Sequence, residues 1–89
     1  MLRTGERNLS KANFWQSELS YLELSGLDMS GARLVEATLR GTALTSTILR
    51  GADCSRAALN EAQFKDVDAS RANFNGAVLQ GAKVFDSVL

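Results

Sequence analysis

Apolar residues recur at every fifth position of this chain, from residue 7 to residue 89, without a break in register. Taking the apolar position as the centre of each repeat, the centres are Leu9, Phe14, Leu19, Leu24, Met29, Leu34, Leu39, Leu44, Leu49, Cys54, Leu59, Phe64, Ala69, Phe74, Leu79, Val84 and Leu89. All 17 are apolar, and 10 are Leu. Two residues earlier a small side chain dominates, with Ala in 9 of the 17 repeats. A helix does not suit this period, because at about 100° per residue every fifth position advances about 140° and smears around the cylinder. A flat strand does not suit it either, because side chains alternate with period two and every fifth one changes face. The pattern closes if the chain turns a corner once per repeat. Each centre and its small partner then face one shared interior, and stacked turns pair backbone to backbone about 4.8 Å apart. That arrangement is a solenoid, in which no single repeat buries its own apolar side.

The residues expected at corners agree. Six of the seven glycines, Gly26, Gly31, Gly41, Gly51, Gly76 and Gly81, fall two residues after a centre. Glycine supplies the tight or left-handed backbone of a corner. The residue before the centre is Asn or Asp in six repeats: Asn8, Asn13, Asp28, Asp53, Asp68 and Asn73. Short Asx side chains hydrogen-bond to nearby turn backbone.

The runs ANFWQ, ADCSR, ANFNG, GARLV and AVLQG resemble those of the pentapeptide-repeat family, and the resemblance covers residues 7–89. It implies an all-β chain folded as a right-handed quadrilateral parallel β-helix of about four coils, with four pentapeptides in each. A second pattern supports four sides independently. Ala12, Ala32, Ala52 and Ala72 form a uniform column at a spacing of 20, whereas Arg7, Leu27, Thr47, Val67 and Ser87 form one that never contains Ala. Within the second column the larger Val67 precedes the smallest centre, Ala69, a volume compensation inside one coil.

Composition narrows the picture. The chain has 89 residues, 45% of them hydrophobic, with 10 basic and 10 acidic side chains, which defines one domain. Its core is expected to be narrow, in a stack of roughly 20 Å. Residues 1–6 lie outside the register and read as a non-repeat lead-in, too short and too charged for a signal peptide. No stretch is apolar enough to span a membrane. There is no proline, as suits a backbone whose N–H groups are used in ladders, and no histidine. The lone Cys54 occupies a centre and is expected to pack as a small buried hydrophobe. Without histidine or a second cysteine the chain offers neither a metal cluster nor a nucleophile–base pair. The glycines sit at corner spacing rather than in a phosphate loop. The chain therefore reads as a non-enzyme without cofactors. A cytoplasmic location, or a place within a secreted effector, fits the missing targeting segment.

Several outward positions are apolar. Near the start these are Trp15 and Tyr21, with Val35 beneath Trp15 in a 20-residue coil. Near the end they are Val78, Phe85 and Val88, and the last residue, Leu89, is itself a centre. These six outward residues are the candidate partner contacts, since Trp and Tyr are favoured interface anchors and clustered apolar surface marks interaction sites. A solenoid end exposes core and strand edge. Two explanations of this one stand side by side: a two-fold homodimer through the C-terminal end, or a chain cut from something longer.

Function is read in two ways. The first is a protein-binding or scaffold module with an unidentified protein partner. The second comes from the resemblance, since some pentapeptide-repeat proteins imitate duplex DNA and modulate type II topoisomerases such as gyrase. Imitation of DNA needs an acidic stripe. The expected face made of residues 7–11, 27–31, 47–51 and 67–71 instead carries four basic and two acidic residues. Direct nucleic-acid binding through Arg7, Lys11, Arg50 and Arg71 is disfavoured by zero net charge and by the interrupting Asp28 and Asp68.

Overall fold

A corner every five residues is possible only if one residue per repeat leaves the extended and right-handed regions of backbone space. The computed structural model, which describes residues 7–89, shows how this is met. Every position two residues after a centre, from Lys11 to Asp86, has positive φ, between 50° and 76°. Glycine occupies six of these corners, and ten carry side chains, among them Tyr21, Arg56 and Asp86. A positive φ at the third residue of a four-residue turn is the requirement of a type II turn. In most repeats the fourth N–H closes such a turn onto the centre's carbonyl, as Ala32 N–H does on Met29 at 3.1 Å.

Between corners the chain runs parallel to itself 20 residues on. Asn8 pairs with Asp28, Asp28 with Ile48, Ile48 with Asp68 and Asp68 with Val88, and the other three sides repeat the register. Four pentapeptides therefore make one coil, and the chain winds as a right-handed quadrilateral β-helix. Each side is so short that pairing is mostly confined to the residue before the centre. Among the described residues only β1 (Gln63–Lys65) and β2 (Lys83–Phe85) extend to three residues, paired in parallel with Phe64 opposite Val84. Neither of these strands is followed by the usual turn closure. The Val67 N–H is taken by the Ser87 hydroxyl of the following coil, at 3.0 Å. No helix of the described residues is long and apolar enough to cross a membrane.

The backbone N–H groups can be followed around one repeat. The centre and the corner residue donate to the next coil, as Leu34 does to Asp53 at 2.7 Å and Glu36 to Ser55 at 3.0 Å. The residue before the centre donates to the previous coil, as Arg33 does to Ala12 at 2.9 Å. The small residue closes the turn. The fifth N–H, just after the centre, has no backbone acceptor. Asx side chains supply one: Asp28 accepts from the Ser30 N–H at 3.0 Å, and Asn8, Asn13, Asp53, Asp68 and Asn73 act in the same way. This gives the Asn and Asp preference before the centre a physical cause.

The centres and their small partners face inward, and from Leu24 to Ala69 they form one continuous buried core. Cys54 lies in it, and burial pushes its thiol up to about 12, far from the reactive range. Val67 and Ala69 are both buried. Leu9, Phe14, Leu19 and Phe74 are only partly covered, because each has a coil on one side alone. Leu22 holds an inward position by register and is nonetheless exposed. The expected lead-in of residues 1–6 lies outside the described residues.

Among the described residues two buried side chains are polar, Thr42 and Thr47. One coil earlier, Leu22 and Leu27 occupy the small site of their columns, and their N–H groups do not close the turn onto Leu19 and Leu24. The freed carbonyls accept the threonine hydroxyls instead, Thr42 to Leu19 and Thr47 to Leu24, each at 2.8 Å. Replacing Thr47 by the isosteric Val leaves a buried carbonyl without a donor, at a cost of about 1–3 kcal/mol. Urea unfolding of Thr47→Val is the measurement. A midpoint equal to that of the parent chain would mean that the Leu24 carbonyl finds another donor.

Candidate functional site

The six outward apolar residues do not form one patch. Trp15 lies on the side centred on Phe14, about half exposed. Its backbone N–H is held by the Asn13 side chain at 3.0 Å, and the Arg33 guanidinium sits 5.6 Å from its ring centroid. That separation is within cation–π range. Val35 departs from expectation. It is only 7% exposed, so it adds no surface beside Trp15. In its column it lies mid-stack, between Trp15 and Ser55.

Val78, Phe85 and Val88 lie on three different sides of the last coil. Each is tied by parallel pairing to the coil before it: Val78 to Ala58, Phe85 to Lys65 and Val88 to Asp68. The three are 44%, 57% and 58% exposed. What joins them is the end of the stack, where the centres Leu79, Val84 and Leu89 are also uncovered. The apolar surface here is an end-face rather than a side.

Tyr21 is the most exposed large hydrophobic among the described residues, at 71%, and its surroundings were not legible from the repeat. It stands at a corner, with φ +63°. Its ring lies directly against Gly41 of the next coil: a Cβ on Gly41 would sit 2.6 Å from Cε1 and 2.7 Å from Cδ1. The ring thus rests on bare backbone. Beside it an open groove of about 490 Å³ runs down the stack, lined by Glu18, Ser20, Tyr21, Thr38, Arg40, Ala58 and Asn60. It continues past Glu61, Gln80 and Gly81. The signal for this arrangement was a spacing of 20: Tyr21 over Gly41, and Glu61 over Gly81.

Elsewhere two ion pairs tie one coil to the next among the described residues. Arg50 bridges Asp68 at 2.6 Å, and Arg56 bridges Glu36 at 3.2 Å, while Gln16 donates to the same Glu36 at 2.9 Å. Arg50 and the Ser70 hydroxyl and N–H hold the Asp68 carboxyl at about 2. Asp28 and Asp53 are lowered by Ser30 and Ser55 in the same manner. These carboxylates favour the fold in their ionised form. Their contribution is complete above the unfolded value of about 4 and disappears as pH falls toward Asp68's folded value. Thermal melting is expected to be flat from about pH 7 to pH 5 and to fall from about pH 4 to pH 2, with Asp68→Asn shrinking the fall. An equal fall in that variant would assign the acid sensitivity to the other carboxylates.

Gly41 also yields a clean comparison. Gly51, at φ +69°, has nothing within 4 Å of an added Cβ, so Gly51→Ala reports the backbone cost alone. Gly41→Ala adds displacement of the Tyr21 ring. We expect it to be the more destabilising of the two, and to change Tyr21 fluorescence in a Trp15→Phe background where Gly51→Ala does not.

The geometry defines a β-solenoid that presents side chains in fixed columns. Pentapeptide repeats match the chain in 8 copies, over residues 6–35, 37–76 and 52–89. The chain belongs to the pentapeptide-repeat family. Among solved structures it is similar to a pentapeptide repeat protein from Nostoc Pcc 7120, at 37% identity and a TM-score of 0.89, over 91% of this chain and 67% of that one. It is also similar to a pentapeptide repeat protein from the cyanobacterium Cyanothece 51142, at 27% identity and a TM-score of 0.53, over 93% of this chain and 60% of that one. A third is HetL from Nostoc sp. strain PCC 7120, described as involved in heterocyst differentiation regulation. It matches at 27% identity and a TM-score of 0.51, over 85% of this chain and 46% of that one. This chain therefore spans between about half and two thirds of the length of these relatives. No curated protein matches it.

Proposed function

We propose that the chain is a non-catalytic binding module, working in the cytoplasm, whose rigid coil stack presents columns of side chains to other proteins and associates with a second copy through its C-terminal end-face. The observation that carries this reading is the run of uncovered apolar side chains on the last coil: Val78, Leu79, Val84, Phe85, Val88 and Leu89. Contiguous apolar surface of this kind is covered in working proteins. A two-fold axis through the end-face would set each apolar residue against its counterpart, as an isologous dimer does. Trp15, with Arg33 beside it, supplies a second, smaller contact on one side.

The alternative, imitation of DNA toward gyrase, draws no support from the charge pattern. Arg50 and Asp68 pair with each other where a phosphate mimic needs acidic residues in series.

Light scattering on a sizing column tests the end-face. The parent chain is expected to run as a dimer, and Phe85→Glu with Val88→Glu as a monomer of unchanged circular dichroism. Both substitutions fall at outward positions, so the inward residues of the coil are untouched. A monomeric parent chain would overturn self-association and leave the end-face as the seat of a further coil or a different protein.

A further inference from the structure

The groove beside Tyr21 is lined by a single cation, Arg40. Arg33 is engaged by the Trp15 ring, Arg50 by Asp68 and Arg56 by Glu36. Arg40 makes no ion pair among the described residues, and it stands exposed in the lining of the groove. Its neighbours in the column at a spacing of 20 are Ser20, Asn60 and Gln80, all neutral hydrogen-bonding side chains. An unpaired guanidinium presents a fork of donors that fits a carboxylate bidentately. Tyr21 stands over the same groove, supported by Gly41, with most of its ring in solvent. A ring fixed in advance contributes contact area at little cost in conformational entropy.

Shape and charge select the occupant. The groove is open rather than enclosed, whereas small-molecule sites bury most of their ligand. It runs down the stack from Ser20 past Arg40 to Asn60, about 10 Å at two coil spacings, the length of roughly three extended residues. Glu18 lines one wall, fixed by accepting the Ser20 N–H at 3.0 Å, and Glu61 lines the continuation. These two carboxylates repel a run of negative charge, which disfavours both nucleic acid and a polyacidic tract. Along the wall of Glu18 the column before the centres changes through Thr38 to Ala58, from charged to apolar.

We propose that this groove is a docking site for an extended protein segment bearing a single acidic residue next to an apolar or aromatic one. The acid pairs with Arg40, and the apolar side chain packs on Tyr21. This deepens the binding-module reading and rests on it, but it concerns a different surface from the end-face.

The test is selection from a random heptapeptide display library against the full folded chain, followed by affinity measurement and mapping of backbone amide shifts for the winning peptide. Expected are sequences with one Asp or Glu beside an apolar residue, with shifts clustered at residues 18–21, 38–41 and 58–61. Arg40→Gln and Tyr21→Ala are each expected to weaken binding by about tenfold or more with the fold unchanged, and acid-to-amide replacement in the peptide by a similar factor. Enrichment of basic peptides would overturn the proposal in favour of Glu18 and Glu61 as the recognised charges. Peptides that map to residues 78–89 would overturn the groove and keep the binding-module reading. No enrichment above the Arg40→Gln, Tyr21→Ala double variant would overturn the groove as a peptide site altogether.

Discussion

The left-handed corner, once every five residues, is the constraint on which the structure depends. Ten of these corners carry side chains at φ values that cost an L-residue about 1–2 kcal/mol each. The cost is sustained because the strained residue is also a ladder donor. Lys11, Tyr21, Glu36 and Arg56 all donate their own N–H to the next coil at 2.8–3.0 Å. Relaxing a corner would therefore break the pairing of two coils. Strain and hydrogen bonding are coupled residue by residue, and the register cannot drift.

The same coupling explains how a chain with so narrow an interior remains ordered. Its core is one column of side chains deep, so backbone satisfaction carries a large share of specificity. Where a repeat departs from the small-residue rule, as at Leu22 and Leu27, the orphaned carbonyls are recovered by threonine hydroxyls of the next coil. Where the N–H after a centre lacks a backbone partner, an Asx side chain takes it. Polar residues here complete the backbone rather than decorate it.

A lattice this regular leaves function to the surface columns. Each outward position repeats every 20 residues, so a side chain meets the same neighbours above and below whatever its chemistry. Arg56 pairs with Glu36 within one such column, and Arg50 reaches Asp68 across to the next one. The column of Arg40 holds no ion pair among the described residues, and the corner of Tyr21 uses glycine as a floor. Grooves and uncovered side chains along these columns, rather than any catalytic constellation, are what single out parts of this molecule.

The repeat unit was legible in the sequence because inward and outward directions are decided locally. A corner of fixed geometry turns every centre inward, so Leu24 to Ala69 fall in the core where the pattern puts them. The glycine and Asx positions follow from the same local backbone demands. Exposure was not legible to the same degree, because it depends on the residue 20 positions away and on whether a coil is present there at all. Val35 points outward yet is buried in mid-stack, and Leu22 holds an inward register yet is exposed on the first coil. The groove of Tyr21 and Arg40 likewise exists only once Gly41 and Asn60 are brought beneath them. The sequence alone thus determined the coil, through the sterics of five residues. The tertiary structure decided the surface, through contacts between residues that share a column but not a neighbourhood in the chain.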